Sequence, residues 1–73
     1  MRNERDRIRL MLYRNTLTNA WLVNRLEERG IVTEKTEMSS VLRGVRKGTK
    51  AENMIRTSLE ILDEYESKMG VHE

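Results

Sequence analysis

A chain of 73 residues with no Cys and no Pro holds one domain, near the lower limit for a self-sufficient core. It excludes a disulfide framework and a thiolate metal site, and its single His, at position 72, excludes a histidine cage. Net charge of +2 conceals an asymmetry. Residues 1–50 carry 12 Lys/Arg against 6 Asp/Glu (+6), and residues 51–73 carry 2 against 6 (−4). That division predicts a body facing a polyanion and an acidic end facing away from it.

Apolar runs are too short for a membrane span or a signal peptide, and neither is expected. The abundance of Arg, Glu, Leu, Met and Lys favours helix, and no stretch alternates as a strand would. Apolar spacing and cap residues predict four helices. The first runs roughly from Asn3, as N-cap, to Asn15. Ile8, Met11 and Leu12 form its buried stripe, and Arg5, Arg7, Arg9 and Arg14 decorate the rest of its surface. The second opens after Leu17 with Thr18 as N-cap. It buries Trp21, Leu22, Val23 and Leu26 and ends at Gly30, a natural left-handed C′ residue. Trp21 is expected to pack against the first helix, and Ile31-Val32 to plug the next corner.

The third helix is predicted over Thr33–Arg43, with Thr33 as N-cap and Glu34 in the first turn. Met38, Val41 and Leu42 should be buried, and Gly44 ends it. Arg43, Arg46, Lys47 and Lys50 then make residues 43–50 a basic loop without an acid. The last helix starts near Thr49 and reaches about Met69, with Thr49 and Glu52 as a capping box. Ala51, Ile55, Ser58, Leu62, Tyr65 and Met69 follow a 4-3-4-3-4 spacing that can complete the core or pair with a twin helix. Gly70 closes it, and Val71-His72-Glu73 is expected to be a disordered tail. The Met residues at 11, 38 and 54 read as core fillers. Glu27-Glu28 and Asp63-Glu64 read as solvated faces, because adjacent residues diverge on a helix. Ser39 and Ser40 have no base beside them to make a nucleophile, so no enzyme and no cofactor is expected. The fold class is all-α: a compact bundle of four or five helices with a long C-terminal helix, in one domain spanning 1–73.

A hydroxyl-capped short helix whose outer side is small and polar, followed directly by a basic loop, suits the major groove of duplex DNA. Lys35, Thr36, Glu37, Ser39 and Ser40 are the candidate base-contacting residues: Lys35 donating to guanine, Thr36 and Ser40 bonding or offering a methyl contact, Glu37 accepting from cytosine. Arg43, Arg46, Lys47 and Lys50 are candidates for phosphate, joined by Thr18 and Asn19 at the head of the second helix.

Leu17-Thr18-Asn19, Leu22-Val23, Gly30, and Met38-Ser39-Ser40-Val41-Leu42-Arg43-Gly44 with its basic sequel resemble the Cro-like and lambda-repressor-like helix-turn-helix family of phage and bacterial regulators. The resemblance covers roughly Leu17 to Lys47. It implies a helix-turn-helix over about 17–44 and a cytoplasmic, nucleoid-associated repressor that binds operator DNA, commonly as a dimer. From Leu22 to Gly44 the chain is several residues longer than a compact family member. A homodimer through the C-terminal helix is expected, motivated by the stripe Ile55–Leu62–Met69. The alternative is a helical interaction module, an adaptor or antirepressor, that does not bind DNA directly.

Overall fold

Backbone capping explains where each helix stops. The structure, a computed structural model, describes residues 2–70, with side chains from Glu4 onward. The expected tail Val71-His72-Glu73 lies outside the described residues. The helices are α1 (Arg2–Arg14), α2 (Asn19–Glu28), α3 (Lys35–Leu42) and α4 (Thr49–Met69), and the described residues contain no strand. The fold is all-α. At the end of α1, Leu17 N–H donates to the Leu12 carbonyl (2.8 Å) and Thr16 N–H to that of Tyr13 (3.1 Å). The same pair recurs after α2, from Ile31 to Leu26 and from Gly30 to Glu27, and after α3, from Val45 to Ser40 and from Gly44 to Val41. This is the Schellman arrangement, which needs a left-handed residue at C′. Gly30 (φ 89°) and Gly44 (φ 81°) supply it without strain, whereas α1 uses Thr16 (φ 53°), a β-branched residue in a costly conformation.

Helix starts match the sequence less closely. Thr18 is the N-cap of α2, and its Oγ1 accepts from Trp21 N–H at 3.1 Å. Thr33 is not a cap. The boundary falls at Glu34, whose backbone is extended (φ −139°, ψ 168°), and the Thr33 hydroxyl donates to the Glu37 carboxylate instead. Thr49 is likewise already helical. Gly48, at φ 117°, occupies the N-cap position, and no side chain caps the helix, so the expected capping box with Glu52 is absent. Only a glycine enters that backbone region freely, which moves the boundary one residue earlier. Thr49 and Lys50 therefore belong to α4, and the basic loop proper is 43–48. α1 already includes Asn3, placing that residue inside the helix and not at its cap.

The core is built from Ile8, Met11 and Leu12 of α1, Leu22 and Leu26 of α2, Met38, Val41 and Leu42 of α3, and Ala51, Met54, Ile55, Ile61 and Leu62 of α4. α1 packs on α3 and α4, α2 packs on α3 and α4, and α3 also meets α4. α4, roughly 31 Å long at 1.5 Å per residue, is nearly as long as the 33 Å long dimension of the domain. The Cα radius of gyration of 11.3 Å equals the roughly 11 Å of a closed single domain this size. Most of the α4 stripe is spent inside that domain: Ile55 and Leu62 are buried, whereas Met69 is 62% exposed.

Long-range contacts correct three further expectations. The Trp21 ring has its aromatic partner on α4, where it meets Tyr65 edge-on at 5.3 Å, with the Arg25 guanidinium over its face. Ile31 packs on the core but Val32 is 69% exposed, because the Schellman turn directs Ile31 inward and the next side chain out. Several α1 arginines do more than decorate a surface. Arg14 Nε and Nη2 grip both oxygens of Glu66 on α4 (2.7 and 2.6 Å), and Arg7 pairs with Asp63 at 3.2 Å. Asn15 Nδ2 completes the clamp on Glu66 at 2.6 Å. The Glu66 carboxyl is held below its ordinary pKa, chiefly by the Arg14 hydrogen bonds, against the opposing effect of burial. No helix of the described residues is long and apolar enough to cross a membrane.

Candidate nucleic-acid interface

The site is the side of α3 that the core leaves free. At about 100° per residue, burying Met38, Val41 and Leu42 turns Thr36, Ser40 and Arg43 directly outward. Thr36 and Arg43 are exposed, while Ser39 and Ser40 are half-buried. Lys35, also exposed, stands on one flank of this ridge and Glu37 on the other. The ridge carries hydroxyls, a methyl and one guanidinium, and no large apolar side chain. Arg43 Nη1 donates to Ser39 Oγ at 3.0 Å, which lays the guanidinium along the helix.

The loop beyond α3 is folded back on the helix. Val45 and Arg46 N–H both donate to the Ser40 carbonyl, at 3.0 and 3.2 Å. At the end of α2 and of α1, the residue after C′ (Ile31, Leu17) tucks against the core. After α3 its counterpart Val45 is 70% exposed. Arg46 Nη1 lies 3.5 Å from Glu37 Oε2, and Lys50 Nζ donates to Glu37 Oε1 at 3.1 Å. Thr33 Oγ1 donates to that same Oε1 at 2.5 Å. The Glu37 side chain is only 15% exposed, and its carboxyl is held below the usual value, first by the Thr33 hydrogen bond and then by Lys50. Glu34, Thr36, Glu37, Ser40 and Arg46 line one shallow depression on this side.

No known protein family, curated protein or solved structure matches this chain.

The structure thus gathers Thr36, Glu37, Ser40 and Arg46 around one depression, with Lys50 held to it through Glu37. Ser39 and Arg43 lie beside it as a bonded pair. Lys35 and Lys47 are exposed and, among the described residues, form no ion pair. Lys47 faces a neighbouring depression with Arg5, Gly48 and Ala51. Thr18 is exposed and Asn19 half-buried at the head of α2, and neither lines either depression. Six residues, 29–34, separate α2 from α3, more than the usual three or four of a helix-turn-helix.

Arg5 is a residue that sequence reasoning missed. Its Nε donates to the Val41 carbonyl at 2.9 Å, one of the carbonyls at the negative end of α3. Its guanidinium also lies 3.8 Å from the point where a Gly44 Cβ would stand. It is the tertiary cap that fixes the C-terminal end of the ridge. No local signal could reveal it, since 36 residues separate the partners. A further depression, between α2 and α4, is lined by Trp21, Tyr65, Arg25 and Lys68, and beside it Arg25 pairs with Glu28 and Arg29 with Glu60 and Glu64.

Proposed function

We propose that this domain binds double-stranded DNA, with α3 entering the major groove and the flanking cations on phosphate, as a cytoplasmic transcriptional regulator. The observation carrying this reading is the outward ridge Thr36–Ser40–Arg43. Small hydrogen-bonding side chains reach base edges without desolvating apolar surface, and four cations lie within eight residues of its end. Thr36 and Ser40 are the first candidates for base contact, and Arg43, Lys47, Arg46 and Lys50 for phosphate. Ser39 and Glu37 are the weaker base readers, because both already have partners within the domain. The reading concerns one copy of the domain, since most of the α4 stripe is buried within the chain.

Selection of bound duplexes from a random library tests the proposal and shows whether one site or two, about one helical turn apart, are retained. Thr36→Ala should cost about 1–3 kcal/mol of preference for the selected site. Lys47→Ala should weaken all sequences about equally. Failure to enrich any sequence, together with no duplex binding at about 50 mM salt, overturns the reading.

A further inference from the structure

Glu37 sits among the cations of this surface as an acid, and its bonds assign it a task. Its carboxylate accepts from Lys50 and Thr33 and lies 3.5 Å from Arg46. Thr33 precedes α3, Arg46 comes after it and Lys50 lies in α4, so one carboxylate ties three separate stretches to the flank of the ridge. Two of the four cations near the end of α3 are therefore already bonded to one acid in the free protein. A phosphate must displace Glu37 from them, or approach past its negative charge.

We propose that Glu37 is an internal competitor for phosphate, a latch that holds Arg46 and Lys50 and so lowers the domain's affinity for DNA of any sequence. This rests on the DNA-binding reading above and deepens it by assigning control of the same surface. The latch differs from a general acidic neighbour because it bonds the cations directly. Glu34 provides the contrast: it lines the same depression and is exposed, and among the described residues it has no bonded cation. Binding that frees both cations should show greater counterion release than binding with the latch closed. Each additional phosphate neutralised steepens the slope of log K against log salt by about 0.9.

The test compares wild type, Glu37→Gln and Glu34→Gln by fluorescence anisotropy on a labelled mixed-sequence duplex of about 21 base pairs, two helical turns. Salt runs from about 50 to 200 mM. Glutamine keeps the shape of Glu37 and can still accept from Thr33, and circular dichroism with urea melts confirms that each variant folds. Glu37→Gln should bind tighter at low salt by roughly 3- to 10-fold, with a slope steeper by about 0.9 to 1.8. Glu34→Gln should leave the slope unchanged. In an Arg46→Gln/Lys50→Gln background, Glu37→Gln should no longer alter the slope.

If Glu37→Gln and Glu34→Gln behave alike, or if Glu37→Gln binds more weakly, the latch is overturned while DNA binding stands. If neither wild type nor Glu37→Gln binds the duplex at the lowest salt, the DNA-binding reading falls and the latch falls with it. Where Glu37→Gln is not folded, Glu37→Asp replaces it. The shorter side chain retracts the carboxylate from the cations, and an unchanged slope in that variant also overturns the latch.

Discussion

Replacing Glu66 with Gln should remove a substantial fraction of the domain's stability. Glu66 accepts two hydrogen bonds from Arg14 and one from Asn15, at 2.6–2.7 Å, and its side chain is 9% exposed. Hydrogen bonds to charged groups contribute roughly 1.5–3 kcal/mol each, and breaking a fully buried pair costs about 3–5 kcal/mol. Here the Arg14 side chain is 29% exposed, so solvent recovers part of the loss, and Gln keeps one acceptor. Discounting both figures gives a net cost of about 2 kcal/mol. A domain this size holds roughly 4–11 kcal/mol in total, so melting should fall by about 8–16 °C. Urea unfolding monitored by circular dichroism, repeated from pH 7 to pH 3, supplies the check. Because the folded pKa of Glu66 is lowered, its contribution is fully present above the unfolded value of about 4.3. It is lost as pH falls through the folded value. The gap between wild type and Glu66→Gln must therefore narrow in acid. A gap that stays constant down to pH 3, or one below about 0.5 kcal/mol at pH 7, would refute the reasoning, because such values belong to exposed pairs.

Two further substitutions test the backbone and the core. Thr16→Gly should stabilise by about 0.5–1 kcal/mol: relief of the left-handed conformation is worth roughly 1–2 kcal/mol, and the freer unfolded chain takes back roughly half of that. A loss of stability in thermal melts would show that the Thr16 side chain contributes more than its strain costs. Ser58 is fully buried in α4, and among the described residues its hydroxyl has no hydrogen-bond partner. Ser58→Ala should therefore raise the urea midpoint, by about 1–2 kcal/mol in stability. A lowered midpoint would mean that the hydroxyl is satisfied in solution.

The helices and their buried faces were legible because each depends on a local pattern. Met38, Val41 and Leu42 lie within five residues, and their spacing alone names the face that α3 must bury. Helix ends were legible where glycine marks them, at Gly30 and Gly44, and obscure where Thr16 takes glycine's place. Starts were harder to read. A threonine near a helix suits the cap and the residues on either side of it, and the choice depends on which neighbour breaks the helical backbone. Glu34 did so beside Thr33, and Gly48 beside Thr49. The long-range bonds that brace the helices could not be read locally at all. Arg14 finds Glu66 across 52 residues and Arg5 finds Val41 across 36, so in the sequence both look like surface charge. Glu37 shows the same limit: periodicity places it on α3, but only the folded chain brings Thr33, Arg46 and Lys50 onto its carboxylate.

Tertiary contacts explain how so short a helix as α3 persists. α3 has eight residues and no side-chain cap, and isolated helices under about 12–15 residues are marginal in water. Its stability must come from outside. Met38, Val41 and Leu42 anchor it underneath, and Arg5 holds a carbonyl at its C-terminal end. The Glu37 cluster joins one flank to α4 and to the loop. All of these supports act on the core side, the flank or the end, and none uses Thr36 or the outward edge of Ser40. Thr36 and the outward edge of Ser40 are therefore the part of α3 that the domain leaves unengaged, and much of their rigidity comes from Arg5 and the core residues, which need not touch a ligand. On the proposed DNA-binding reading, a substitution at Arg5 and one at Thr36 would both weaken recognition, but by separable routes. The first loosens the whole ridge and so lowers binding to every sequence, whereas the second removes a contact and lowers the preference for one.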